Sequence, residues 1–246
     1  MHITITGKTG SGKTTISKLI QDELGYERYS TGEYQREIAT KLGVDMVEMN
    51  EIMRDNLSYD HMIDSTVERV SRERAQDKLI FDSRMAWHFA VKSFKIFISI
   101  DPDVAGARVF ENPRSEEPYT SAKEAAEQLI ARSTAENLRF RTIYGVDNYD
   151  YANYDLIIDT TYSDVSDYMP IIREALAAYE ASPETYRRRI YISPKSLRMP
   201  CKSGDDGDIV IAPYKGRHFV LAGHASVRAA LEAGDKYVIA DIPKTE

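Results

Sequence analysis

Residues 7 to 14 read Gly7-Lys8-Thr9-Gly10-Ser11-Gly12-Lys13-Thr14, a full match to G-x-x-x-x-G-K-[ST], directly after the alternating segment His2-Ile3-Thr4-Ile5-Thr6. A chain with this octapeptide must end a strand in a tight loop and begin a helix at once. Ile16, Leu19, Ile20 and Leu24 recur at helical spacing and predict that helix. The glycines let successive backbone N–H groups turn inward around phosphate oxygens, and the helix adds its N-terminal dipole. Lys13 supplies a point charge and Thr14 a hydroxyl for magnesium. Gly7 through Thr15 are therefore the expected triphosphate site. An ordinary Gly-rich turn is the competing account, and the flanking strand and helix weigh against it.

At 246 residues with 42% hydrophobic content, the chain is long enough for a real core but does not demand three domains. Its net charge of −7 argues against broad nucleic-acid binding, which normally shows a basic domain or stripe. An acidic protein that binds polyanions has to concentrate its arginines locally. Cys201 is the single cysteine, so no disulfide forms within the chain and a cysteine-rich metal site is excluded. That usage fits a reducing cytoplasm. No apolar run approaches a membrane span, and the N-terminus enters its first strand without a signal-like stretch.

Strand and helix patterns alternate through the first 180 residues. Lys78–Phe81, Phe94–Ile100 and Tyr154–Asp159 are short apolar runs of the kind found in strands covered on both faces. Helical patterns occupy 33 to 42, 59 to 75, 121 to 142 and 166 to 180, and Pro102 stands where a first-turn proline is favoured. The order predicts a three-layer α/β/α fold around a parallel sheet of five strands. After about Pro183 the pattern changes. Short strands near 190 to 192, 209 to 212, 217 to 221 and 237 to 240, with a helix from about Val227 to Glu232, predict a small α+β domain over 184–246, separate from a first domain of 1–183. Roughly sixty residues make a marginal domain, so it is expected to lean on the first domain or on a second chain.

Three further features carry chemistry. Ser30-Thr31-Gly32-Glu33-Tyr34-Gln35-Arg36 follows the second strand; its turn brings backbone close to a ligand and Arg36 offers a planar fork to a phosphate. Thr31 as a helix cap with Arg36 on a solvated face is the plainer alternative. Phe81-Asp82-Ser83-Arg84 closes a strand, which puts Asp82 near the magnesium and Arg84 in the cleft at the strand's carboxyl end. Asp82 as a turn cap paired with Arg84 is the bland reading there. Arg132, Glu136 and Arg139 share one face of a long helix, with Arg141 close by, and such a ladder also suits a solvated, salt-bridged face. The segment from Arg108 through Arg114 to Pro118 is polar and proline-punctuated, as a water-excluding lid over about 108 to 135 would be.

In this order the features resemble the nucleoside monophosphate kinases, and within them the compact archaeal-type cytidylate kinases, over about residues 1 to 180. The likeness rests on the phosphate loop, on Ser30 to Arg36, on Ser83-Arg84-Met85-Ala86, on Arg132 to Arg139 followed by Tyr144-Gly145-Val146-Asp147, and on Tyr154 to Thr160. It implies transfer of the γ-phosphoryl group of ATP to a nucleoside monophosphate, with CMP or dCMP the first choice and magnesium as the metal. A nucleotide-sensing regulator with little turnover is the alternative. Carried over by position, Lys13 and Thr14 serve the donor phosphates and magnesium, and Asp82 orients the metal. Arg36, Arg84 and Arg139 face the acceptor phosphate. Arg132 and Glu136 lie near the transferring group and the acceptor sugar, and Arg108 lies near the donor adenine. The region 44 to 75, with Tyr59, Asp60, His61, Asp64 and Arg69, is expected to reach the acceptor base, Asp64 among the binding residues. Two residues depart from the pattern, Asn137 in place of a basic residue and Ser83 in place of a glycine. Phosphoryl transfer to an already ionised monophosphate needs no general base, so none of the histidines is assigned to catalysis.

Phe219 to Ala230 is similar, more loosely, to the loop and helix of ParB- and sulfiredoxin-like domains, where a helix N-terminus takes a nucleotide phosphate. His224 and Arg228 are kept in kind while Ala225 and Ser226 are not basic, so a structural or dimerising role is the stronger expectation. The chain is expected to be a monomer or a homodimer through this part, without nucleic-acid or membrane partners.

Overall fold

A computed structural model describes residues 1–44, 46–56, 58–112, 119–200 and 205–243. The chain opens with β1 (His2–Gly7), α1 (Lys13–Leu24), β2 (Glu27–Ser30), α2 (Thr31–Leu42), α3 (Met46–Asp55) and α4 (Ser58–Glu73). It continues through β3 (Leu79–Asp82), α5 (Ala86–Phe89), β4 (Ser93–Ser99), α6 (Pro102–Glu111), α7 (Ala122–Tyr144), β5 (Leu156–Asp159) and α8 (Val165–Ala181). The rest is β6 (Arg189–Ile192), β7 (Leu197–Arg198), β8 (Ile209–Tyr214), β9 (Arg217–Ala222), α9 (His224–Ala233) and β10 (Val238–Asp241).

Strands β2, β3, β1, β4 and β5 lie side by side in that order, all parallel, as the alternation of patterns predicts. Every residue of β1, β3 and β5 is buried, which is why β3 and β5 read as apolar runs, while β1 alternates its isoleucines with the buried polar side chains of His2, Thr4 and Thr6. Ile3, Ile5, Ile16, Ile20, Ile96, Ile98, Ile158 and Ile172 form one cluster beneath α1 and α8. Because the strands are parallel, the loops after β1, β3, β4 and β5 all emerge at one edge, where such sheets bind ligands.

The sheet does not stop at five strands. β6 pairs parallel with β5, matching Ile190 to Ile157, and β10, β8, β9 and β7 follow to give one ten-stranded sheet. A second cluster joins the two halves, with Phe97, Tyr154 and Ile157 packed together with Ile190, Ile192, Ile211, Val220 and Val227. The short terminal strands bury little on their own, and the open edge of β5 gives them both a hydrogen-bonding partner and an apolar face. Asp159, fully buried, fastens the join: Oδ2 accepts from Ser193 N at 3.3 Å and from Ser196 Oγ, and Oδ1 accepts from Thr161 N at 3.1 Å.

Helices α6 and α7 cross closely at small residues. A Cβ on Gly106 would stand 2.5 Å from the Ala122 carbonyl oxygen and 2.7 Å from Ala126 Cβ, so only glycine permits this approach. The crossing sets Arg108 and Arg132 at fixed positions over the sheet edge. Helix α9 begins at His224, three residues before its expected start, because Gly223 takes a left-handed φ of 78° and turns the chain out of β9.

Removal of residues 184–246 would strip β6 from β5 and bare the side chains of Phe97, Tyr154 and Ile157. The expected outcome is an aggregating chain without a cooperative thermal transition, checked by size-exclusion chromatography and calorimetry of the truncated and full chains. A soluble, cooperatively melting truncate would show that the first 183 residues fold alone.

Candidate active site

The phosphate loop follows β1, and Gly10 and Gly12 take left-handed φ angles of 81° and 87° that turn its amides inward. Lys13 Nζ reaches back across the loop to the Lys8 carbonyl at 3.0 Å, and Ser11 Oγ bonds the same carbonyl at 2.7 Å. Thr14 Oγ1 donates to Asp82 Oδ2 at 3.3 Å, bringing the end of β3 to the start of α1. A cleft of about 750 Å³ opens in front of the loop. Lys8, Thr9, Gly10, Gly12, Lys13, Thr14 and Thr15 line it together with Ser30, Gly32, Arg36, Asp64, Arg84 and Arg139. Asp82, Arg108 and Arg132 line it as well.

Most of the residues expected from the sequence thus meet around one space. The exceptions are Ser11, which is buried within the loop, and Gly7 and Glu136, which face a small adjoining cavity with Arg84 and Arg132. Glu136 clamps both arginines, accepting from Arg84 Nε at 3.0 Å and Arg132 Nε at 3.1 Å. Arg108 donates to the Thr160 carbonyl at 2.6 Å, tying α6 to the end of β5. Arg141 is turned away: it is an exposed residue paired with Asp147, the solvated alternative for that part of the ladder. Ser30, not Thr31, caps α2, its hydroxyl accepting from Glu33 N at 3.3 Å. Arg114 and Cys201 lie outside the described residues.

Both departures have structural explanations. Asn137 is tied down, its amide donating to Asp147 Oδ1 at 2.9 Å and accepting from Asn148 N at 2.9 Å. A basic residue there would lose this clamp on the loop after α7. The Ser83 hydroxyl accepts from Met85 N at 3.3 Å and so closes the turn after β3 that presents Arg84.

Two residues that the sequence does not single out, Arg28 and Asp60, stand at the site. Arg28 on β2 donates Nη2 to Asp82 Oδ2 at 3.0 Å and Nε to Ser17 Oγ at 2.9 Å, in a nearly buried pair with Asp82. Its only sequence signal is a charged residue inside a short strand. Asp60 and Asp64 on α4 are both buried and both face the cleft, whereas Arg69 is engaged with Glu73 at 2.9 Å and His61 packs edge-on against Tyr144. Asp60 Oδ1 pairs with Arg139 Nη2 at 3.2 Å, while Asp60 Oδ2 and Arg139 Nε are buried without a partner. Burial pushes the Asp64 carboxyl up to about 7, against the pull of the Tyr144 hydroxyl that donates to it at 2.6 Å. The spacing of four residues puts the two carboxyls on one helical face, visible in the sequence once the helix is known.

At the C-terminal end, the N-terminus of α9 already holds an anion. Asp205 accepts from Gly223 N at 2.7 Å, His224 N at 3.2 Å and His224 Nδ1 at 2.8 Å, and these bonds lower its carboxyl to about 2. The amides that the ParB-like resemblance offered to a nucleotide phosphate are taken by the chain's own carboxylate. His218 is buried, with Tyr151 Oη 2.6 Å away, and His2 bonds the Ser71 carbonyl at 3.0 Å, so both are packing residues.

A sequence model of the cytidylate kinase-like family matches residues 2–162. The chain belongs to that family. A cytidylate kinase of Saccharolobus islandicus is 29% identical over 192 residues, covering 77% of this chain and 97% of the relative. One of Sulfolobus acidocaldarius is 30% identical over 172 residues, covering 68% and 91%. A solved structure of an uncharacterized protein from Eubacterium ventriosum shares the fold, with a TM-score of 0.55 at 16% identity over 72% of this chain and 99% of that one. The family's matched segment thus holds the phosphate loop, the acidic pair on α4 and the arginines of α7, and it ends before β6 begins.

The raised carboxyl of Asp64 makes stability depend on pH with a definite sign. Its folded pKa stands above the unfolded value of 3.8, so the native state binds more protons and loses stability as pH rises from about 4 to about 7, levelling off above that. Asp64→Asn removes this slope. Denaturant midpoints of the variant and the parent, compared at pH 5 and pH 8, are expected to favour the variant increasingly at the higher pH, by on the order of 1 kcal/mol for each unit crossed.

Proposed function

We propose that this chain transfers the γ-phosphoryl group of ATP to a nucleoside monophosphate, and that CMP or dCMP is the acceptor. The reading is carried by one observation: a phosphate loop and a second set of arginines line the same cleft. A simple NTPase needs only the first. The loop amides and Lys13 would hold the donor's β- and γ-phosphates, Arg36 and Arg139 the acceptor phosphate, and Arg84 and Arg132 the group in transit. Arg108, on α6 and bonded to the end of β5, would lie along the donor base. Holding two polyanions in line and neutralising the spread charge accounts for catalysis without covalent chemistry from the protein. The acceptor oxygen is already ionised at neutral pH, so no side chain has to take its proton.

Thr14 and Asp82 suit magnesium, since a hydroxyl and a carboxylate are hard oxygen donors on adjoining segments. Among the described residues no group of three or more acidic, histidine or cysteine side chains could hold a metal ion. When bound with the triphosphate, magnesium would offset charge on the bridging oxygens. The chain's own part is to hold the Thr14 hydroxyl and the Asp82 carboxylate in place, the latter through Ser17 and Arg28.

The choice of cytosine follows from Asp60 and Asp64. Cytosine presents an amino group where uracil presents a carbonyl, and a carboxylate accepts from the first and repels the second. Asp60 Oδ2, buried without a partner beside the cleft, wants such a donor. Adenine also carries an exocyclic amine, which makes AMP the competitor to test first.

ADP release with ATP, magnesium and each of CMP, dCMP, UMP, AMP and GMP should rise above the water-only rate for the cytosine nucleotides. Tight ATP binding with no acceptor-dependent turnover would sink this reading. Arg36→Ala is expected to raise the acceptor KM by about tenfold or more, the value of one charged phosphate contact, with little change in the KM for ATP. Asp64→Asn should narrow the preference for CMP over UMP. The acceptor KM of the parent should fall as pH rises through about 7, where Asp64 ionises, and that inflection should vanish in the variant.

A further inference from the structure

The family's matched segment ends at residue 162, yet residues well beyond it touch the loops around the phosphate site. Strands β8 and β9 form a hairpin whose turn is Lys215-Gly216, with φ angles of 48° and 80°. Both values are left-handed, as the two-residue hairpin turn matched to sheet twist requires. This turn sits against the phosphate loop. A Cβ on Gly216 would lie 2.3 Å from Lys8 Nζ and 3.1 Å from Pro102 Cγ, so the glycine is in direct contact with the second residue of the loop and the first of α6. Lys8 is largely enclosed there, with Nζ 5.0 Å from the centre of the Tyr149 ring. Burial draws its ammonium down to about 8, with Asp101 opposing and Arg217 adding to the shift.

The next residue holds the start of α6. Arg217 donates Nη2 to Asp103 Oδ2 at 2.7 Å and stands 3.7 Å from Asp101 Oδ2, and Arg198 reaches the same Asp101 oxygen at 3.4 Å. Asp101 is the cap of α6, its Oδ1 accepting from Asp103 N at 2.9 Å. Helix α6 in turn carries Arg108 into the cleft. Behind the hairpin, His218 bonds Tyr151 and lies 3.3 Å from Ser99 Oγ at the end of β4. The hairpin therefore grips the segments after β1 and β4.

We infer that the β8–β9 hairpin is a positioning element for the donor nucleotide: Gly216 through Lys8, and Arg217 through Asp101 and Asp103, hold the phosphate loop and the start of α6 in their binding geometry. Neither residue touches the cleft. They act on the conformation of those that do. Lys8 consequently spends its side chain on the brace, and its contribution to phosphate binding is through its backbone. The inference rests on the reading of the phosphate loop as the donor site, and its test is a binding measurement that does not depend on which acceptor is used.

The full chain is titrated calorimetrically with ATP and magnesium, and separately with CMP, as the parent, Arg217→Ala, Arg217→Lys, Gly216→Val and the control Leu221→Ala. Leu221 is an exposed residue of the same hairpin that faces solvent. Arg217→Ala is expected to weaken ATP by about tenfold, within the usual range for coupling between separate sites, and to leave CMP within about twofold. Its melting temperature should stay within about 3 °C of the parent, and Arg217→Lys should recover part of the loss. Gly216→Val is expected to act in the same direction; if that variant does not fold, the arginine pair decides alone. Unchanged ATP affinity in Arg217→Ala overturns the inference. So does a loss shared equally by ATP and CMP or by Leu221→Ala. Absence of CMP binding in the parent would count against the acceptor reading alone, because the ATP comparison among variants is still read.

Discussion

The cleft collects Lys13, Arg36, Arg84, Arg108, Arg132 and Arg139 in a chain whose net charge is −7, and mutual repulsion among these cations has to be contained before any phosphate arrives. Carboxylates contain it. Glu136 bridges Arg84 and Arg132, and Asp60 holds Arg139. Each acid fixes the rotamer of an arginine that would otherwise be free to wander, so the guanidinium donors are held in place at the cleft. Asp82 is placed differently. Its oxygen accepts from Thr14, Ser17 and Arg28 together, and this ties the phosphate loop's helix to β2 and β3.

That arrangement is possible because the strands run parallel. Their carboxyl ends put Gly7, Asp82, Ser99 and Asp159 along one sheet edge, so a single cleft can be served by loops distant in sequence. The helices then add what the edge cannot reach. α2 carries Arg36, α4 the acidic pair, α6 Arg108, and α7 the remaining arginines. The tight crossing at Gly106 keeps the last two helices in register with each other.

Residues whose place at the cleft is set by near neighbours are legible in the sequence. The phosphate loop, Arg36 just after Gly32, and Asp82 with Arg84 at a strand end each come with their local context attached. What escaped was set by distance along the chain. Arg28 meets Asp82 across 54 positions, and Arg217 meets Asp103 across 114, so no spacing rule connects them. Asp64 is expected from the sequence among the binding residues, but that Asp60 joins it ahead of Tyr59, His61 and Arg69 depends on which face of α4 turns to the cleft. The ten-stranded sheet escaped for the same reason. Arg189 to Ile192 has the pattern of a strand, and nothing local states that its partner is β5 and not another strand of the terminal part.

Those terminal residues show how an extension becomes part of a site without joining it. At the α9 end of β9, Asp205 satisfies the helix amides, so that end makes no demand on an outside anion. The turn at the opposite end of β9 is not self-contained: Gly216 meets Lys8, and Arg217 meets the acids that start α6. A hairpin closed at one end and committed at the other transmits its own packing to the phosphate loop, because the buried β5–β6 ladder leaves it no freedom to move apart from the sheet. Continuity of the sheet is therefore what gives the added strands a mechanical hold on the loop; the same hairpin on a flexible linker would have none.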